Sequence, residues 1–229
     1  MNILAIIPAR GGSKGLPGKN IKVLGDTPLI GWSIKSALES KLITKTIVSS
    51  DSKDIIAVAK QYGAEIPFIR PKEFATDTAS SKDVLLHAIN FYKSKNVLFD
   101  YLVLLQPTTP FRDSKMIDEM IDEMIEKNVD MVVSVKETSA NPYYVLFEED
   151  ENGCLKKSKE SNFTRRQDCP TVYEYNGSVY VIKVESLLKY NSLAFPQTTK
   201  YVMDNYHSVD IDNQFDFDFA EFLLTKNQK

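Results

Sequence analysis

The chain has 229 residues, 43% hydrophobic and 26% charged, with a formal net charge of -3; that suits one α/β core and carries neither the basic excess of a nucleic-acid binder nor the apolar excess of a membrane protein. Cys154 and Cys169 form no CxxC pair and only two histidines accompany them, which excludes a structural zinc site. Met1 to Pro8 is apolar but short and lacks a basic leader, so a cytoplasmic chain with reduced thiols is expected, with neither nucleic acid nor membrane as a partner. In chain order, the run Ile3-Leu4-Ala5-Ile6-Ile7 suits a strand buried on both faces. A loop with three glycines in five residues follows. Pro28 to Ser40 has helical apolar spacing. Thr46 to Ser49 reads as a strand, Ser52 to Tyr62 as a helix and Ile66 to Ile69 as a third strand. Ser80 to Lys93 is a helix with Ser80 as its cap and Asp83 at the capping-box position. Tyr101 to Leu105 is a strand, Asp113 to Lys127 a helix and Met131 to Val135 a strand. This alternation predicts an α/β fold with a doubly wound, mostly parallel (mixed) sheet.

The character changes after Val135. Residues from about 136 to 175 are polar and broken by Asn-Pro, Asn-Gly and Cys-Pro, with short strands expected at Tyr143 to Phe147 and Thr171 to Tyr175. About 40 residues of this kind rarely hold a core alone, so an arm inserted into one domain spanning 1–229 is expected. Gly177 to Ile182 resumes a core strand, and a helix near Phe215 to Thr225 closes the chain.

Two segments carry chemistry. Residues 9 to 20 read Ala-Arg-Gly-Gly-Ser-Lys-Gly-Leu-Pro-Gly-Lys-Asn, a glycine-rich loop fed by the first buried strand and bearing Arg10, Lys14 and Lys19. Glycines let backbone N–H groups turn toward phosphate oxygens, and three cations can neutralise a triphosphate. With Gly18-Lys19 as its Gly-Lys pair, a Walker A loop needs Gly at 13 and Ser or Thr at 20, where this chain has Ser13 and Asn20. The dinucleotide-binding glycine spacing is also absent. The second segment is Ser208-Val209-Asp210-Ile211-Asp212. Read as a strand, it points Asp210 and Asp212 to one side. Two adjacent carboxylates repel unless a cation sits between them, and Mg²⁺ is the natural hard ion beside a triphosphate. The plainer readings are a solvated basic turn and the polar face of an edge strand.

The opening Ile6 to Asn20 resembles that of the acylneuraminate cytidylyltransferases, the CMP-sialic acid synthetases. Further resemblances follow in family order: Val48-Ser49-Ser50-Asp51, Arg70-Pro71, Asp77-Thr78-Ala79-Ser80-Ser81, Leu105-Gln106-Pro107-Thr108-Thr109-Pro110, Arg166-Gln167, Asn176-Gly177 with Tyr180, and Asp210-Ile211-Asp212. The resemblance implies a Rossmann-like nucleotidyltransferase fold whose arm makes a homodimer. It implies a reaction in which CTP and a nonulosonic acid give the CMP-sugar and pyrophosphate, the anomeric C2 hydroxyl attacking the α-phosphorus. It implies that Arg10, Gly11, Gly12, Ser13, Lys14 and Lys19 hold the triphosphate. Asn20, Arg70, Ala79 and Ser81 would read ribose and cytosine. Gln106, Arg166, Asn176 and Tyr180 would contact the sugar, Asp210 and Asp212 would hold Mg²⁺, and Arg10, Lys19 and Asp212 would be catalytic. Asp77 reads as a helix cap, and His87 and His207 as structural. Glu174 stands where sialic acid members often carry Arg, which leaves the choice of sugar open; the stretch from Asn162 to Gln167 is similar to the legionaminic acid branch. A nucleotide-binding protein without turnover is the rival from another class.

Overall fold

The computed structural model describes residues 1–227. Its first element is β1, Ile3–Pro8, whose apolar run is buried throughout except for Pro8 at its end. After the glycine-rich loop come the short strands β2, Val23–Leu24, and β3, Thr27–Pro28, then α1, Leu29–Leu38. β4, Lys45–Ser49, and α2, Lys53–Gln61, follow, with Ser52 as the N-cap of α2. α3, Ser81–Lys93, begins with the expected capping box: Asp83 N–H donates to Ser80 Oγ and Ser80 N–H to the Asp83 carboxylate. Such a cap is worth ~1 kcal/mol. Next are β5, Tyr101–Leu105, α4, Ser114–Lys127, and β6, Met131–Glu137. The arm contains the hairpin β7, Phe147–Glu149, and β8, Leu155–Lys157, and a 3₁₀ turn at Arg166–Asp168. β9, Tyr173–Lys183, returns to the sheet, followed by α5, Val184–Lys189, β10, Thr198–Val202, and α6, Gln214–Asn227.

Six strands form one sheet in the order β10-β6-β9-β5-β1-β4. Pairings are parallel except those of β9, which runs antiparallel to both β5 and β6. Helices cover both faces, as expected for a doubly wound mixed sheet. Ile3, Ala5 and Ile7 of β1 pack with Ile30 and Ile34 of α1, Ala59 of α2 and Ile117 and Met120 of α4. Leu4 and Ile6 face the other way, onto Leu85 and Ala88 of α3 and Leu187 of α5. Each of the Ile, Leu and Met side chains among these, taken fully out of water, contributes about 1.5–3 kcal/mol. A third cluster lies beyond the strand ends, where Leu16 of the glycine-rich loop meets Val209, Ile211 and Phe217. It joins the two segments singled out in the sequence, which are almost 200 residues apart.

Four local expectations change. Ile66 to Ile69 is not a strand; a single bridge, Ile47 with Glu65, is all that forms. Pro67 lacks the N–H a ladder needs, and Phe68 turns edge-on to His87. Tyr143 to Leu146 is a turn, with the N–H groups of Tyr144, Val145 and Leu146 converging on the Asn141 carbonyl. The two strands expected at Thr171 to Tyr175 and at Gly177 to Ile182 are one, β9, which passes through Gly177 at φ +70°. Ser208 to Asp212 is an extended loop without a partner strand, although Asp210 and Asp212 are exposed on either side of buried Ile211, as alternation requires.

Candidate active site

The site lies beyond the C-terminal ends of β1 and β5, where open α/β sheets bind ligands. The loop leaving β1 is pinned at several points. Ala9 N–H donates to the Ser49 carbonyl of β4 at 3.0 Å. Gly11 N–H donates to Asp51 at 3.0 Å, and Asn20 Nδ2 to the Arg10 carbonyl at 3.0 Å. Gly18, at φ +68°, turns the chain into the short 3₁₀ helix Lys19–Ile21, a conformation glycine adopts without steric cost. Gly15 lies flat against the metal-loop candidate: a Cβ there would stand 2.3 Å from the Asp212 carbonyl oxygen.

Lys19 reaches the same loop. Its ammonium donates to the Ile211 carbonyl at 2.7 Å and to Asp212 Oδ1 at 3.1 Å, with the side chain only 11% exposed. From below, Ile211 N–H donates to the Thr108 carbonyl at 2.9 Å. From the side, the Asp212 and Asn213 N–H groups donate to the Asp216 carboxylate at the start of α6. The result is a polar cleft of about 410 Å³ lined by Arg10, Ser13, Lys14, Lys19, Asn20, Gln106, Asp210 and Asp212. Although Asp210 is exposed as a whole, its carboxyl is recessed in the cleft, where desolvation raises it above its ordinary value; Asp212 and Asp216 add to this, against the Thr108 hydroxyl and Lys19. Like charges set side by side and desolvated favour a proton or a metal ion between them. Among the described residues no third His, Cys, Asp or Glu joins the pair.

Gln106 and Asp210 converge on Gly177 of β9, whose missing Cβ would lie 3.7 Å from Gln106 Nε2 and 3.8 Å from Asp210 Oδ2. Tyr180, half-buried on the same strand, faces Gln106 and Asp210; burial is the main cause of its raised hydroxyl pKa. Arg70 stands behind the loop rather than in the cleft. It is buried, donates from Nε to Ser49 Oγ at 3.1 Å and also bonds the Ser49 carbonyl. Desolvation lowers it to about 10, with Asp51 opposing and Arg10 adding to the fall, so it stays charged at neutral pH. Gly12 has open space around it. Ala79 and Ser81 sit at the start of α3, outside the cleft lining, on a segment drawn toward it by Asp77.

Three residues depart from expectation. Asn176 is buried: its Oδ1 accepts from Ser134 Oγ at 2.6 Å and Ser178 N–H at 3.1 Å, and its Nδ2 donates to Ser208 Oγ at 2.9 Å. Its amide is spent on the protein, so it anchors the segment leading into Asp210 instead of touching a sugar. Arg166 lies on the arm, in a groove with Glu137, Asn141 and Gln167, and does not line the cleft of its own chain. Asp77 does not cap α3; it bridges Arg10 Nη1 at 2.6 Å and Lys14 Nζ at 2.5 Å. Arg112 was given no role by its sequence. It is fully buried beneath the cleft and binds Gln106 O, Thr109 O, Ser178 Oγ and Ser33 Oγ. Desolvation pulls it down to about 9. Its signal would have been the Arg following Gln-Pro-Thr-Thr-Pro-Phe directly after a core strand.

The cytidylyltransferase family model matches residues 4–227. The chain is 38% identical over 227 residues to a CMP-N,N'-diacetyllegionaminic acid synthase of Campylobacter jejuni, covering 97% of this chain and 95% of that one. A synthase of the same name from Legionella pneumophila is 34% identical over 231 residues, covering 100% and 99%. An N-acylneuraminate cytidylyltransferase of Escherichia coli is 35% identical over 228 residues, covering 99% of this chain and 53% of that one. Among solved structures, a CMP:2-keto-3-deoxy-manno-octonic acid synthetase complexed with CTP superposes with a TM-score of 0.74 at 16% identity, covering 99% of this chain and 100% of that one.

Proposed function

This chain belongs to the cytidylyltransferase family, and from that premise we propose how its cleft joins CTP to a nonulosonic acid, giving the CMP-sugar and pyrophosphate. The oxygen of the anomeric C2 hydroxyl forms a bond to the α-phosphorus, the bond to the pyrophosphate oxygen breaks, and the hydroxyl proton is released. Little covalent chemistry is asked of the protein, and catalysis rests on placement and charge neutralisation. The observation that carries this reading is the closure of the cationic loop on the acidic segment, with Gly15 and Lys19 both against Asp212.

Arg10, Ser13 and Lys14 would hold the triphosphate, with Gly11 and Gly12 allowing its close approach. Lys19 would act from its position against Asp212 and Ile211, bridging the loop and the acidic pair. Asn20, whose side-chain amide donates to the Arg10 carbonyl, would meet the ribose. Arg70, Ala79 and Ser81 lie outside the lining of the cleft and would read the base where the nucleotide extends past the loop. Gln106 and Tyr180, beside Gly177, would meet the sugar acid. Asp210 and Asp212 fit a magnesium ion: both are hard oxygen donors, and the single ammonium of Lys19 offsets only one of their two charges. When bound, the ion would neutralise phosphate charge.

The relatives at 34–38% identity favour N,N'-diacetyllegionaminic acid as the sugar, with N-acetylneuraminic acid as the second reading. Glu174 supports neither directly, because its carboxylate pairs with Lys136 at 3.5 Å. The arm is read as a homodimer contact that carries Arg166 toward the neighbouring subunit's cleft. It exposes Val145, Leu146, Phe147 and Leu155, and an exposed apolar group of that kind marks an interaction surface. No helix among the described residues is long and apolar enough to cross a membrane; a cytoplasmic setting is part of the proposal. The test is pyrophosphate release from CTP with a panel of nonulosonic acids, with and without Mg²⁺, alongside light scattering for the mass. No release with any acid would refute the enzyme reading; release without divalent metal would refute the role of Asp210 and Asp212; a monomeric mass would refute the arm contact.

A further inference from the structure

We propose that Asp77 is an internal counter-ion for the triphosphate subsite, a carboxylate that occupies Arg10 and Lys14 until a triphosphate displaces it. The inference rests on the reading of the cleft as a nucleotide site. Its two carboxylate oxygens engage two different cations, Oδ1 with Arg10 at 2.6 Å and Oδ2 with Lys14 at 2.5 Å. A phosphate bridging the loop would offer the same pair of oxygens to the same pair of cations. The hydrogen bonds from Lys14 and Arg10 hold the Asp77 carboxyl below its ordinary value, so it is fully charged at neutral pH.

The rest of the segment is held by local contacts. Ala79 N–H donates to Thr76 Oγ1, and the Thr76 and Thr78 hydroxyls meet each other. Asp77, its side chain 45% exposed, is therefore the tether that draws residues 76–80 onto the glycine-rich loop. Its displacement is an exchange of one anion for another on a fixed pair of cations. That exchange weakens every bare anion equally, whereas a nucleotide also gains contacts to its base and ribose. The same competition acts at the end of the reaction. Pyrophosphate leaves more readily if a carboxylate returns to Arg10 and Lys14. Asp77 thus sets how tightly the subsite holds any phosphate chain, while the base and ribose contacts supply the preference for a whole nucleotide.

The test is calorimetric titration of the full chain with inorganic tripolyphosphate and with pyrophosphate at low ionic strength, where exposed ion pairs are least screened. Wild type is compared with Asp77→Asn, and Asp77→Ser serves as a second variant with unfolding midpoints checked for both. Losing two exposed ion pairs frees the cations, so the variants should bind tripolyphosphate about three- to tenfold more tightly, and pyrophosphate should inhibit CTP turnover at correspondingly lower concentration. A merely structural residue gives no gain in affinity on removal. Unchanged or weaker binding in folded variants overturns the proposal and makes Asp77 an organiser of Arg10 and Lys14. If wild type binds neither CTP nor tripolyphosphate, the nucleotide reading itself fails and Asp77 falls with it; if wild type turns over CTP while the variants show no gain, only the Asp77 proposal fails.

Discussion

Gly15→Ala isolates the contact between the cationic loop and the acidic segment. A Cβ at residue 15 would stand 2.3 Å from the Asp212 carbonyl oxygen, and real Cβ contacts essentially never fall under 3.0 Å. Relief requires a separation of about 0.7 Å, the difference between 3.0 and 2.3 Å. The obstacle is backbone, not the end of a flexible side chain, so loop and segment must part. Gly15 has no positive φ, hence the steric conflict is the whole effect and not backbone strain. Lys19 at 3.1 Å from Asp212 would lose that contact first. A displacement approaching 1 Å between reacting groups costs on the order of 10²-fold, or ~2.7 kcal/mol of barrier. The expected result is a ten- to hundredfold lower kcat/KM by pyrophosphate release (~1.4–2.7 kcal/mol). The unfolding midpoint should stay within about 4 °C, equivalent to roughly 1 kcal/mol for a chain of this size. A rate within twofold of wild type would show that the two segments need no fixed separation, and the placement argument would fail.

Asp212→Ala should reduce turnover below detection while the fold persists, since the side chain is 74% exposed and packs on nothing in the core; a retained rate in the pyrophosphate assay rules out the metal role. Asn176→Ala should destabilise by about 1–3 kcal/mol, because Ser134 and Ser208 lose a buried partner. Thermal unfolding reads that loss, and a variant of native stability with a raised KM for the sugar alone would return Asn176 to the sugar site. Asp210, with its carboxyl raised by burial, favours the protonated form in the fold. Its contribution to stability is therefore complete below the ordinary carboxylate pKa of 3.8 and is lost as pH rises through the elevated one. Asp210→Asn should flatten that part of the metal-free profile of midpoint against pH, and a parallel profile refutes it.

Much of this was readable in the order of residues because the signals were local. Buried strands announce themselves as continuous apolar runs, as in Ile3 to Ile7, and caps as Ser80 with Asp83. The loop was legible since glycine and cation crowd together directly after such a strand. What escaped depends on distance along the chain. Asp77 looks like a helix cap until Arg10 and Lys14, more than 60 positions earlier, are brought beside it. Arg112 is an ordinary cation until the sheet closes over it. Asn176 sits next to a glycine on the cleft floor, yet the pleat turns its amide the other way, into the protein. Pro67 hid in a short apolar run that alternation alone reads as strand.

The arm leaves the sheet at Glu137 and re-enters at Tyr173, and those two residues are register partners in the β6–β9 ladder. Its ends are thus stapled together by the same pairing that builds the sheet, so the domain beneath does not depend on what lies between them. Lengthening or replacing the intervening stretch changes mainly a loop-closure entropy, about 0.6 kcal/mol for each doubling of length. The arm is in that sense a cartridge: a stretch of different length or sequence could be carried there while the β6–β9 pairing of Glu137 with Tyr173 holds its two ends in place.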